Sequence, residues 1–106
     1  MLTIETIRQA ASRVAALAHS PTKVILFGSY ARGDADEGSD LDLLVVEQDI
    51  PDYTQEYLRL HGVLYSLGVG VDLLILTERE FEKKRSWWTT PIYWAAREGK
   101  VVYERT

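Results

Sequence analysis

The stretch GSYARGDADEGSDLDLLVV, residues 28–46, sets five acids and one arginine between two apolar runs. Asp34, Asp36 and Glu37 read as a solvated loop, but Asp40 and Asp42 run straight into leucine and valine. Side chains at i and i+2 of a strand leave the same face, so Asp40 and Asp42 are expected to project together from a strand start. Two unit charges ~4 Å apart repel by ~4 kcal/mol at an effective dielectric of ~20. A divalent cation turns that repulsion into attraction. Oxygen-only donors in a chain without cysteine favour Mg²⁺, with Mn²⁺ as the alternative, over zinc or copper.

Immediately upstream, residues 23–27 (KVILF) form a β-rich run that ends at Gly28. Gly28 and Ser29 therefore sit where a strand gives way to a short helix, and backbone N–H groups with the Ser29 hydroxyl could face an anion there. The segment has neither the Gly-Lys-Ser/Thr ending of a P-loop nor a dinucleotide fingerprint. Arg32 is open to two readings, a phosphate or partner contact and a neutralising partner for Asp34 or Asp36.

Working outward, Ile4, Ile7, Ala11, Val14 and Ala18 predict an amphipathic helix over residues 3–18. Residues 41–46 form the second strand. Asp52 with Gln55 opens a helix over residues 53–67, whose apolar side is expected to hold Tyr57, Leu60, Leu64 and Leu67. Residues 69–76 (VGVDLLIL) make a third strand. Thr77 and Glu80 form a capping box that opens a short basic helix to Arg85. Thr90–Pro91 starts a last helix, Gly99 ends it, and residues 101–103 add an edge strand. Apolar runs of this kind belong to interior strands covered by helices, so the order predicts an α+β fold, an α/β sandwich.

The whole chain, residues 1–106, is expected to be one domain, with ordinary apolar (46%) and charged (26%) fractions. The net charge of −4 resides in residues 28–46, where one arginine faces five acids, and the remainder is neutral. Such a field disfavours direct nucleic acid binding. No apolar stretch approaches the roughly 20 residues of a membrane span, and the absence of cysteine fits a cytoplasmic protein. Lys83, Lys84 and Arg85 read as a solvated helix face, His19 and His61 have no companion at metal-ligand spacing, and Trp87, Trp88, Tyr93 and Trp94 are expected mainly to pack. An exposed subset of these aromatics would mark a docking surface.

Gly28-Ser29, the ten residues 30–39, and Asp40-Leu41-Asp42 together resemble the hallmark of the DNA polymerase beta-like nucleotidyltransferase superfamily, and of its minimal nucleotidyltransferases (MNT) in particular. The likeness runs on through the third strand to GKVVYE, residues 99–104. It implies a polymerase-beta-like palm with a mixed sheet of about four strands. It also implies that Asp72, the acid inside the third strand, completes a catalytic and metal-binding trio with Asp40 and Asp42. Gly28, Ser29 and Arg32 would then bind the nucleotide's phosphates. Two Mg²⁺ ions would activate a hydroxyl and hold ATP while pyrophosphate leaves.

Because larger relatives carry a second helical domain, the family also implies that a partner supplies the missing wall. The implied role is the MntA-type antitoxin of a HEPN/MNT toxin–antitoxin pair, which moves AMP from ATP onto a tyrosine of the HEPN ribonuclease toxin (AMPylation). Two alternatives stand beside it. One is an antitoxin that neutralises the HEPN toxin by binding alone, and the other is a nucleotidyltransferase acting on a small molecule or an RNA end.

Overall fold

The computed structural model describes residues 1–105. Its elements are α1 (Ile4–Leu17), β1 (Pro21–Phe27), α2 (Ser29–Arg32), β2 (Leu41–Glu47), α3 (Tyr53–Tyr65), β3 (Val71–Thr77), α4 (Glu78–Lys84), α5 (Pro91–Glu98) and β4 (Lys100–Glu104). The four strands form one mixed sheet in the order β3-β2-β1-β4. β1 pairs antiparallel with both β2 and β4, and β2 pairs parallel with β3 across the α3 connection. The α+β expectation of about four strands packed with helices holds, with β4 on the outer edge.

Capping sets the helix starts. Thr3, Asp52, Thr77 and Thr90 each accept a hydrogen bond from an N–H in the first turn that follows, which satisfies a donor the helix cannot use itself. Thr77 and Glu80 complete the capping box reciprocally.

Alternation along the central strands then divides the apolar side chains between two layers. Val24, Leu26, Leu41, Leu43 and Val45 pack with Ile7, Val14, Leu60 and Leu64 of α1 and α3. Ile25, Leu44, Val46 and Leu76 pack on the opposite face against Phe81, Ile92 and Ala95 of α4 and α5. Asp42 shares parity with Leu44 and Val46, and Asp72 with Leu74 and Leu76. Both acids therefore emerge on the α4/α5 face, at the strand ends where those helices leave the sheet open.

Three local expectations change. The buried stripe of α3 is Glu56, Leu60 and Leu64, one residue round from the predicted face, so Tyr57 is 37% exposed. The third strand begins at Val71, because Gly68 takes a positive φ and residues 68–70 form the approach to the site. The tryptophans do not pack: Trp87, Trp88 and Trp94 remain exposed while Ile92 and Ala95 fill the core.

Candidate functional site

The starts of β2 and β3 bring two of the predicted acids, Asp42 and Asp72, together. Parallel register sets Asp42 of β2 directly beside Asp72 of β3, and antiparallel register sets it opposite Phe27 of β1. Adjacent strands lie about 4.8 Å apart, so two aspartates on one face at matched positions meet carboxyl to carboxyl. Asp40 lies one residue before the strand, where the Leu41 N–H donates to the Gly70 carbonyl at 2.8 Å and fastens β2 to the turn preceding β3.

Two glycines make room for these carboxylates. At Gly28, φ is +73° and an added Cβ would lie 2.0 Å from Asp42 Oδ2. At Gly70 an added Cβ would lie 2.2 Å from Asp40 Oδ1. A side chain at either position would occupy the space of a candidate ligand oxygen. Both glycines are thus part of the cradle.

The electrostatics express the crowding. Asp42 is pushed up from 3.8 to about 6, by burial first, then by its hydrogen bond with Asp72 and the negative charges of Asp72 and Asp40, with Arg32 opposing. Asp42 therefore keeps its proton to higher pH than an isolated carboxyl does, as expected of adjacent carboxylates without a cation between them. Among the described residues no three His, Asp or Glu side chains form a ready-made cage. Mg²⁺ does not need one, because it keeps several waters and is usually bound by one or two carboxylates together with substrate phosphates. An all-oxygen donor set, short of positive charge and backed by glycines, fits such an ion.

The pair opens into a cleft of about 320 Å³ lined by Phe27, Asp42, Tyr57, Asp72, Leu74 and Pro91. A second cleft of about 430 Å³ adjoins it through Phe27 and Pro91, with Gly28, Arg32, Thr90 and Trp94 in its wall. Ser29 is the first residue of α2, after Gly28 at the cap position. Arg32 pairs with Asp34 at 3.3 Å between exposed side chains, a weak contact that leaves the guanidinium available to the cleft. Asp36 stays in its own turn, accepting from the Gly38 N–H at 2.9 Å. Arg85 pairs with Glu82 at 3.0 Å and stacks on Phe81, consistent with a solvated basic face.

Sequence reasoning passed over two features. Tyr57 enters the cleft; its place on α3, one residue from the buried stripe, is the signal for a partly exposed aromatic. Glu47 and Glu56 form a fully interior acid pair at the opposite end of β2, 0% and 4% exposed. The Ser20 N–H donates to Glu47 at 2.9 Å, the His19 N–H donates to Glu56 at 2.9 Å, and Arg59 pairs with Glu56. The other Glu47 oxygen is buried with no hydrogen-bond partner, which suits a carboxyl that keeps its proton beside Glu56. Burial and the Glu56 contact hold Glu47 up at about 7. Glu56 is lowered: burial opposes, and the Glu47, His19 and Arg59 contacts prevail. The spacing of Glu56 with Leu60 and Leu64, i to i+4 to i+8, is the signal that was available.

Residues 7–98 match the family model for the nucleotidyltransferase domain. A Methanocaldococcus jannaschii protein provisionally named a protein adenylyltransferase is 42% identical over 65 residues, covering 61% of this chain and 63% of that protein. The chain thus spans less than two thirds of that relative's length. A solved structure provisionally assigned as a minimal nucleotidyltransferase superposes with a TM-score of 0.62 at 34% identity, covering 93% of this chain and 95% of the other. The MNT antitoxin complexed with the tri-AMPylated HEPN toxin of Shewanella oneidensis shares the fold, with TM-score 0.66, 20% identity and coverage of 97% and 74%. Among the described residues, no helix is long and apolar enough to cross a membrane.

Proposed function

This chain belongs to the nucleotidyltransferase domain family, and we propose that it transfers AMP from ATP to a tyrosine hydroxyl of a HEPN toxin, acting as that toxin's antitoxin. The observation that carries the reading is the Asp42–Asp72 pair, matched across β2 and β3 at the mouth of a cleft and framed by Gly28 and Gly70. The likeness to an MNT antitoxin bound to an AMPylated HEPN toxin supports the choice of partner and of AMP as the group transferred. With ATP as donor, the reaction belongs in the cytoplasm.

Asp42 and Asp72, with Asp40 beside them, would hold Mg²⁺, which supplies charge neutralisation at the phosphates and acidifies an attacking hydroxyl. The chain's own groups do the rest. Gly28 leaves the end of β1 without a side chain, so the phosphates can approach the backbone closely. The Ser29 hydroxyl and the Arg32 guanidinium, both on α2, would bind the anionic tail. Exposed Asp72, on the edge strand, is placed to accept the proton of an incoming hydroxyl and release it to solvent.

Retaining three acids at one sheet end is costly for a protein that only masks its partner, and this favours catalysis over binding alone. Incubation with α-labelled ATP, Mg²⁺ and a HEPN toxin should label that toxin. Asp42→Asn should remove the label. Full toxin silencing by Asp42→Asn, with no transfer by the wild type, would return the chain to the binding-only reading.

A further inference from the structure

We infer that Tyr57 is itself an acceptor and that the chain places AMP on its own Tyr57 hydroxyl; the inference rests on the nucleotidyltransferase reading of the Asp42–Asp72 site. Of the six tyrosines, Tyr57 is the one lining the cleft that contains both aspartates. Tyr30 and Tyr53 have engaged hydroxyls, the first accepting from the Leu2 N–H and the second donating to Glu80. The Tyr57 hydroxyl makes no hydrogen bond among the described residues. The residue is 37% exposed, and its ring is steadied by stacking on His61, with centroids 5.5 Å apart.

The order of groups across the sheet end gives the direction of attack. Across the sheet end come Asp72 on the edge strand β3, Asp42 on β2, and Gly28 at the end of β1. Phosphoryl-type displacement needs the attacking and leaving oxygens roughly in line. With the β- and γ-phosphates on the Gly28–Arg32 side, the nucleophile must enter from the β3 side. Tyr57 belongs to that side: it lines the cleft beside Asp72 and Leu74 and a neighbouring hollow with Ile75, all on β3. Its position also makes the hydroxyl intramolecular, which replaces a bimolecular encounter with a local one.

The step balances. Tyr57 Oη bonds to the α-phosphorus, the bond from that phosphorus to the β-bridging oxygen breaks, and pyrophosphate leaves with the electron pair. The phenolic proton passes to Asp72 and then to water. AMP on Tyr57 would occupy the entry used by any other hydroxyl, so the modified chain is expected to transfer more slowly to a partner.

The test uses the intact chain with Mg²⁺ and ATP and no partner, followed by intact mass and peptide mapping. The expected result is one AMP per chain on the Tyr57 peptide, at a rate per molecule independent of protein concentration, and absent from Tyr57→Phe and Asp42→Asn. Circular dichroism of both variants establishes that they fold, and mapping of the wild type stands without them. No label on the wild-type Tyr57, a label on another tyrosine, or a rate rising with protein concentration overturns the inference. If Asp42-dependent labelling of a HEPN partner proceeds while Tyr57 stays bare, the proposed function stands and this inference alone falls. If neither protein is labelled, both fall.

Discussion

Replacing Glu47 by glutamine should make the fold more stable at pH 8 and leave it nearly unchanged at pH 5. Glu47 is fully buried and held up from 4.5 to about 7, by burial first and then by its bond to Glu56. A carboxyl with a raised folded pKa favours the fold below its unfolded value, and that advantage is lost as pH climbs through the folded value. Between pH 4.5 and about 7 the folded pair therefore keeps a proton that the unfolded chain has released. At about 1.4 kcal/mol per pKa unit, the loss amounts to about 2–3 kcal/mol once sharing with Glu56 is allowed for. Lowered Glu56 acts in the opposite sense, contributing above pH 4.5 and losing its contribution in acid. Glutamine keeps the shape and an N–H donor for Glu56 without a proton to lose. Urea unfolding at pH 5, 6, 7 and 8 should show the two stability curves converging in acid and separating by about 2 kcal/mol at pH 8, a midpoint shift of roughly 1 M. Asp42 titrates in the same interval in both proteins and cancels in the difference. Parallel curves, or a variant less stable at pH 8, would refute the shared-proton account.

Gly28→Ala should cost about 1–3 kcal/mol, because its backbone lies in a region nearly reserved for glycine; displacement of Asp42 should also lower transfer activity, as urea melts and AMP transfer together would record. Mg²⁺ should raise the melting temperature more at pH 7.5 than at pH 5.5, since Asp42 must shed a proton held up to about 6; saturation at 100 times the dissociation constant is worth about 2.7 kcal/mol. Asp42→Asn should melt above the wild type without cation and lose most of the Mg²⁺ shift, which differential scanning fluorimetry would show. Thr77→Ala removes the hydroxyl that accepts from the Glu80 N–H at 3.2 Å and should cost about 1 kcal/mol, or about 4–8 °C in melting temperature.

The candidate site was legible in sequence because its geometry is local and periodic. The i, i+2 spacing sets Asp40 and Asp42 to one side, while the two-sided apolar run of residues 41–46 leaves the choice of face open until Leu44 and Val46 are seen to pack against α4 and α5. Asp72 was legible only as an acid inside a strand; its meeting with Asp42 depends on register between β2 and β3, which no single segment encodes. Tyr57 and Glu56 exchanged roles for a related reason. A stripe one residue out on a helix rotates every side chain by about 100°, and burying a glutamate there requires Glu47, His19 and Arg59 from elsewhere in the fold. The exposed tryptophans escaped because composition speaks of packing, while Ile92 and Ala95 already fill the space beneath α5.

The most direct measurement follows the two ends of ATP separately, with α-labelled and γ-labelled nucleotide, Mg²⁺ and the HEPN protein, in wild type and Asp72→Asn. Adenylyl transfer at the Asp42–Asp72 pair predicts α-label on protein and γ-label in pyrophosphate, both lost in the variant. Appearance of γ-label on protein, or α-label transfer undiminished in Asp72→Asn, would contradict it.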